Sequence, residues 1–153
     1  TKKMTEVISD NYLQNVALRF SNVYGDGQRD TMLFSRMINN SLEFVSENHI
    51  RDFIHVDDVI DAIKLFLYAK DFEFDRIYDV GSGMGLHVNN LVEYYGFNVE
   101  KRVGESCEML DNTADITKLT RLGWSPKRDI HKYLEGKLNG RTKLENNTEG
   151  LLS

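Results

Sequence analysis

Two stretches carry residue types that could do chemistry. The first, Arg51-Asp-Phe-Ile-His-Val-Asp-Asp-Val59, sets one guanidinium among the carboxylates of Asp52, Asp57 and Asp58. A planar guanidinium either pairs with a carboxylate or grips phosphate oxygens through two parallel hydrogen bonds. By composition alone the solvated ion pair is the reading for Arg51. The second stretch is Ile77-Tyr-Asp-Val-Gly-Ser-Gly-Met-Gly85. Glycines let a ligand approach the backbone, and free N–H groups at a helix start attract anions, as in a strand–helix–strand nucleotide site. The spacing fails the dinucleotide fingerprint, because Leu86 fills the third glycine position. A tight strand-to-helix turn accounts for the same glycines without a ligand. Other reactive groups are sparse. Cys107 is the single cysteine, and with four scattered histidines it gives no zinc-ligand spacing. His55 reads as a packed histidine. Asp57 and Asp58 read as helix caps rather than an acid/base pair, and Trp124 and Pro126 as packing and helix-stop residues.

The elements that must position these groups follow from the apolar periodicity. Met4, Val7, Ile8 and Tyr12 share one face, which predicts an amphipathic helix over residues 1–14, with Lys2 four before Glu6. Residues 15–20 read as a strand and 21–30 as a polar loop. Leu33/Met37 and Phe34/Ile38 pairs predict a helix over 31–39, and 42–45 is a short strand. Arg51–Val56 reads as extended. The period then switches, and Val59, Ile60, Ile63, Phe66 and Leu67 form a helical stripe. A strand over 76–80 leads into the Gly81–Gly85 turn. Val88, Leu91, Val92 and Tyr95 predict the next helix, stopped by Gly96. A strand over 97–103, a short helix capped by Asp115, and a final helix marked by Ile130, Tyr133 and Leu134 complete the pattern. Residues 141–153 form a polar tail without a clear period.

Composition bounds what such a chain can do. Its 153 residues suffice for one domain with its own core. Hydrophobic residues make up 41% and charged residues 28%, the mix of a globular protein. A net charge of −5 argues against broad nucleic-acid binding, which needs a basic surface. No apolar run approaches the ~18 residues of a membrane span. The first ten residues, TKKMTEVISD, show no signal-peptide pattern, and with one cysteine a reducing, cytoplasmic setting is the expectation.

Leu18-Arg-Phe-Ser-Asn-Val-Tyr-Gly25 lies upstream of the arginine run; Arg102-Val-Gly-Glu105 and Leu122-Gly-Trp-Ser-Pro126 lie downstream. In this order and at these distances the runs resemble the C-terminal half of the extended short-chain dehydrogenase/reductase family. That family comprises NAD-dependent nucleotide-sugar epimerases, dehydratases and decarboxylases. The resemblance implies a role for each matching residue. Thr1, Lys2 and Glu6 match the register of the Tyr-x-x-x-Lys helix. Lys2 is then the catalytic lysine that binds the nicotinamide ribose and lowers a tyrosine's pKa. The partner tyrosine would precede Thr1. Arg51 and Arg102 match the two arginines that close on the substrate diphosphate. Asn22 matches the asparagine of N-V-Y-G, which donates to phosphate or sugar oxygens, and Phe53 occupies a position beside the nucleotide.

The implied fold class is α/β: the C-terminal part of a Rossmann-type enzyme with its small substrate-binding subdomain, the N-terminal dinucleotide-binding half missing. Residues 1–29 would be a remnant of the Rossmann part and 30–140 mostly the substrate-binding part. The expected function is the nucleotide-sugar-binding portion of an epimerase or dehydratase, inactive as an isolated chain. The expected ligand is a nucleoside diphosphate-sugar. NAD is expected for the complete enzyme and not for this chain alone; no metal, nucleic acid or membrane is expected. Association as a homodimer, or with the missing half, fits an apolar face and strand edge left uncovered. Two alternatives stand beside this. The run Asp79–Gly85 also resembles the first motif of S-adenosylmethionine-dependent methyltransferases, D-x-G-x-G-x-G, which would place that cofactor at Gly81–Gly85. A non-catalytic interaction module is the other.

Overall fold

A computed structural model describes residues 4, 6, 7, 15–68, 74–104 and 109–138. The described strands form three small sheets. β1 (Ala17–Phe20) runs parallel to β5 (Ile77–Val80), in the register Ala17↔Ile77 to Phe20↔Val80. On β5 the side chains alternate: Tyr78 and Val80 are buried while Ile77 and Asp79 are only partly covered.

Immediately after β1 the chain steps across Ser21 into β2 (Asn22–Tyr24), inside the stretch expected to be loop. This strand exists because its partner is distant: it runs parallel to β4 (Ile50–His55), with Asn22 opposite Phe53. Local polarity gave no hint of a pairing so far away in the chain. β4 also pairs, antiparallel, with β6 (Gly85–His87). The glycine run therefore opens a strand, not the helix its spacing suggested. β3 (Phe44–Ser46) runs parallel to β7 (Glu100–Arg102), which is shorter than the strand expected over 97–103.

Helices pack against these strands. They are α1 (Leu33–Ile38), α2 (Val56–Tyr68), α3 (Val88–Tyr94), α4 (Thr117–Arg121) and α5 (Ile130–Lys137). α3 stops where the sequence said, at Gly96 with φ +76°. Phe97 N–H donates to the Val92 carbonyl and Gly96 N–H to the Glu93 carbonyl, a Schellman closure. α4 begins after Ile116 rather than at Asp115, whose carboxylate accepts from Thr117 N–H at 3.0 Å. Asp58 does not cap its own helix. It is buried, and its carboxylate accepts from the backbone N–H groups of Lys127 and Arg128 and from the Arg128 guanidinium. A carboxylate so deep is tolerated because each of its oxygens has a donor and the Arg128 guanidinium balances its charge.

Among the described residues two apolar clusters form the core. One gathers Tyr24, Phe34, Met37, Val45, Leu91, Val92, Tyr95 and Leu134. The other gathers Ile54, Val59, Ala62, Tyr78, Val80, Leu119 and Trp124. Of the helix expected over 1–14, Met4 and Val7 are exposed, and Arg19 forms a two-pronged ion pair with Glu6 at 2.9 and 2.8 Å. Lys2 lies outside the described residues, as does the tail over 141–153.

Candidate functional site

Strand alternation sorts the Arg51–His55 run into two faces. Asp52 and Ile54 point inward and are buried. Arg51 and Phe53 point the other way and line a cavity of about 300 Å³. Register brings Asn22 beside them, because β2 pairs with β4 at Asn22↔Phe53. Helix α1 and strand β3 close the cavity with Leu33, Phe34, Arg36, Phe44 and Val45, and His49 lies at the start of β4. Among the described residues that line it, none carries a carboxylate. In a chain of net charge −5 this cavity wall carries two arginines and a histidine. Such a wall favours an anion over a cation or a bare sugar.

Each predicted residue has a definite place. Arg51 meets none of the three aspartates considered for it, Asp52 lying on the opposite face of its strand. Its Nη1 donates to the carbonyls of Met109 (2.7 Å), Ile50 (3.0 Å) and Leu110 (3.2 Å). Its Nη2 lies 2.9 Å from His49 Nδ1. Arginine cannot accept, so Nδ1 is the acceptor in this pair. Among the described residues nothing engages Nε or the second Nη2 hydrogen, which leaves them for a ligand. Asn22 donates from Nδ2 to the Asp52 carbonyl at 3.0 Å, tying β2 to β4 while its side chain borders the cavity. Phe53 packs its ring against Phe34 with centroids 4.7 Å apart. Arg102 is not a lining residue. It is held by Glu100 at 2.7 Å and lies over the Phe44 ring, 3.9 Å from its centroid. That hydrogen bond raises the Arg102 pKa and lowers that of Glu100.

Sequence reasoning missed Arg36, Phe44 and His49. Arg36 and Phe44 sit in elements recognised only for their apolar neighbours, and His49 lies two residues before the arginine run. His55 packs as expected: it contacts the rings of Tyr24 and Tyr133, with centroids 5.1 and 5.7 Å apart, and is 3.6 Å from Asp57. Burial drives the Tyr24 pKa well above the usual phenol range, so its hydroxyl is no base near neutral pH.

The glycine run has another occupant. Asp52, wholly buried, accepts from Ser82 N–H (2.8 Å), Ser82 Oγ–H (2.6 Å), Gly83 N–H (3.0 Å) and Ala114 N–H (3.1 Å). The amides that a cofactor phosphate or carboxylate would use are spent on a carboxylate of the chain itself. Glycine is required there by close approach: a Cβ on Gly81 would stand 2.5 Å from Asp52 Oδ2 and 2.5 Å from Ala114 Cβ. The turn thus fits neither NAD nor S-adenosylmethionine. Among the described residues no group of His, Cys, Asp and Glu could hold a metal ion, and no helix is long and apolar enough to cross a membrane.

Comparison with known proteins places this geometry. The profile of the NAD dependent epimerase/dehydratase family matches residues 1–81. A putative UDP-glucose 4-epimerase of Methanocaldococcus jannaschii is 28% identical over 143 residues, covering 83% of this chain and 45% of that protein. Among solved structures, MoeE5 in complex with UDP-glucuronic acid and NAD is 30% identical, with a TM-score of 0.63 over 80% of this chain and 45% of that one. UDP-glucose 4-epimerase of Thermotoga maritima with UDP-glucose is 25% identical, with a TM-score of 0.70 over 90% of this chain and 49% of that one. The chain spans about half the length of the relatives it matches.

Proposed function

The chain belongs to the NAD dependent epimerase/dehydratase family, with the α/β, Rossmann-like fold of the extended short-chain dehydrogenase/reductases, and from that premise we propose that it forms the part of such an enzyme that binds a nucleoside diphosphate-sugar. One observation carries the reading: strand pairing and alternation bring Asn22, Arg51 and Phe53 to one cavity, and none of the described residues lining it carries a carboxylate. Phe53 and its apolar neighbours offer a surface for a base or ribose. The unspent donors of Arg51 offer hydrogen bonds to a diphosphate of about two negative charges. On the same reading residues 1–29 belong to the cofactor side of the enzyme, 30–140 mostly to the substrate side, and Lys2 is the lysine that steadies a tyrosine and the nicotinamide ribose. NAD supplies hydride chemistry in such enzymes. The Gly81–Gly85 turn does not hold it, and no redox step is assigned to the described residues.

Calorimetric titration with UDP, dTDP, GDP, CDP and S-adenosylmethionine tests this. Saturable binding of at least one diphosphate, lost in Arg51→Ala, is the expected result. Binding of S-adenosylmethionine with no response to any diphosphate would contradict it.

A further inference from the structure

His49 is a buried polar residue that none of the sequence motifs accounts for. It lies in the turn between β3 and β4 and lines the cavity beside Arg51. The turn sets its backbone: Asn48 takes φ +59°, and the His49 carbonyl accepts from Val88 N–H at 3.0 Å. Its ring meets the guanidinium, with Nδ1 2.9 Å from Arg51 Nη2. Because arginine only donates, Nδ1 holds a lone pair and the ring proton sits on Nε2. We propose that His49 is a positioning residue for Arg51: its neutral imidazole holds the guanidinium in the orientation that meets the diphosphate. This rests on the nucleotide-binding reading above and names what sets the geometry of that contact.

The physical argument has three parts. An arginine has many rotamers, and its fork matches phosphate oxygens best when its plane is fixed before the ligand arrives. Here the plane is held on two nitrogens. Nη1 donates to the carbonyls of Ile50, Met109 and Leu110, and Nη2 donates to His49. These four acceptors carry no charge. A carboxylate at position 49 would hold the same plane, but it would cancel the cation and repel a phosphate group. A neutral imidazole orients the guanidinium and leaves its full charge for the anion. Burial of His49 completes the arrangement, since water does not easily replace a buried acceptor that is lost.

The competing role is packing, because a buried ring also fills space in the cavity wall. Two readouts separate the roles. The first is the ring itself. Two-bond ¹H–¹⁵N spectra of the full chain, recorded near pH ~8 where a free imidazole is neutral, report which nitrogen carries the proton. The His49 signal is the one absent from His49→Asn. The expected signature is a proton on Nε2 and none on Nδ1. The second readout is affinity. Wild type, His49→Ala, His49→Asn and Arg51→Ala are titrated with UDP, dTDP, GDP and CDP and with the matching nucleosides. Asparagine offers Oδ1 in place of Nδ1 and so keeps a neutral acceptor. His49→Ala is expected to weaken the diphosphate about fivefold or more and to leave nucleoside binding unchanged. His49→Asn is expected to stay within about twofold of the wild type, which a pure packing role would not produce. If His49→Ala fails to fold, His49→Leu, which fills the space without an acceptor, is read in its place with the same expected loss. Four results overturn the inference. A proton on Nδ1 does so, because that nitrogen could then only donate. Diphosphate affinity preserved in His49→Ala while Arg51→Ala abolishes it removes this assignment and leaves the nucleotide reading standing. Equal loss for nucleoside and diphosphate assigns His49 to packing. Absence of diphosphate binding by the wild type removes both.

Discussion

Replacing Asp52 by alanine removes the acceptor for three backbone N–H groups, those of Ser82, Gly83 and Ala114, and for the Ser82 hydroxyl. The hydroxyl has a second acceptor in the Met84 carbonyl at 3.2 Å, so the three amides carry the cost. At about 1–3 kcal/mol for each unsatisfied buried donor, the ceiling is about 9 kcal/mol. Water admitted to the vacated space satisfies some of them, and the expected loss is about 3–5 kcal/mol, a large share of a small domain's stability. Asp52→Asn keeps one oxygen for Ser82 but turns an NH₂ toward the donors of Gly83 and Ala114, and is expected to cost about 2–3 kcal/mol. Urea unfolding followed by the fluorescence of Trp124, which is buried in the cluster beside Val80, reads both values. If both variants stay within about 1 kcal/mol of the wild type, the carboxylate does not anchor the glycine turn as described.

Three further outcomes are expected. Gly81→Ala, whose Cβ would meet Asp52, Ala114 and Ser21 within 2.7 Å, is expected to lose about 1–3 kcal/mol in the same unfolding assay. Gly136→Ala on α5, where a Cβ meets nothing within 4 Å, is expected to gain about 0.5–1 kcal/mol; the opposite order would refute the packing described around the turn. Burial pushes the Tyr95 hydroxyl up to about 12 and raises Tyr24 and Tyr133 as well. In the unfolded chain these phenols ionise near ~10. The folded state therefore holds protons that the unfolded state releases. Stability is fully present below that point and falls as pH rises toward 12. The urea midpoint is expected to fall across this window, less steeply in Tyr95→Phe, and a flat wild-type profile would contradict the burial.

Much of the site was legible because strand periodicity is strict. Once Arg51–His55 is extended, Arg51 and Phe53 must share a face and Asp52 must take the other. What stayed hidden depends on distant partners. Asn-Val-Tyr24 looks like loop until β4 lies beside it, and the glycine run looks like a ligand cradle until Asp52 fills it. Asp58 looked like a cap because a carboxylate at a helix start does that locally; its donors come from residues 127 and 128, far along the chain. Arg36 was masked by the Leu33/Met37 and Phe34/Ile38 pairs that define its helix, since apolar spacing says where a helix packs and not which polar residue faces a cavity.

The central claim is that a nucleoside diphosphate sits where β2, β3 and β4 meet. Titrating ¹⁵N-labelled protein with UDP, dTDP, GDP and CDP in turn, and following the backbone amide resonances, tests it most directly. Saturable shifts centred on Asn22–Tyr24, Phe44–Ser46 and Arg51–Phe53 are the predicted result. Shifts centred on Gly81–Gly85 with the cavity residues unmoved, or no saturable shift with any of the four, would contradict it.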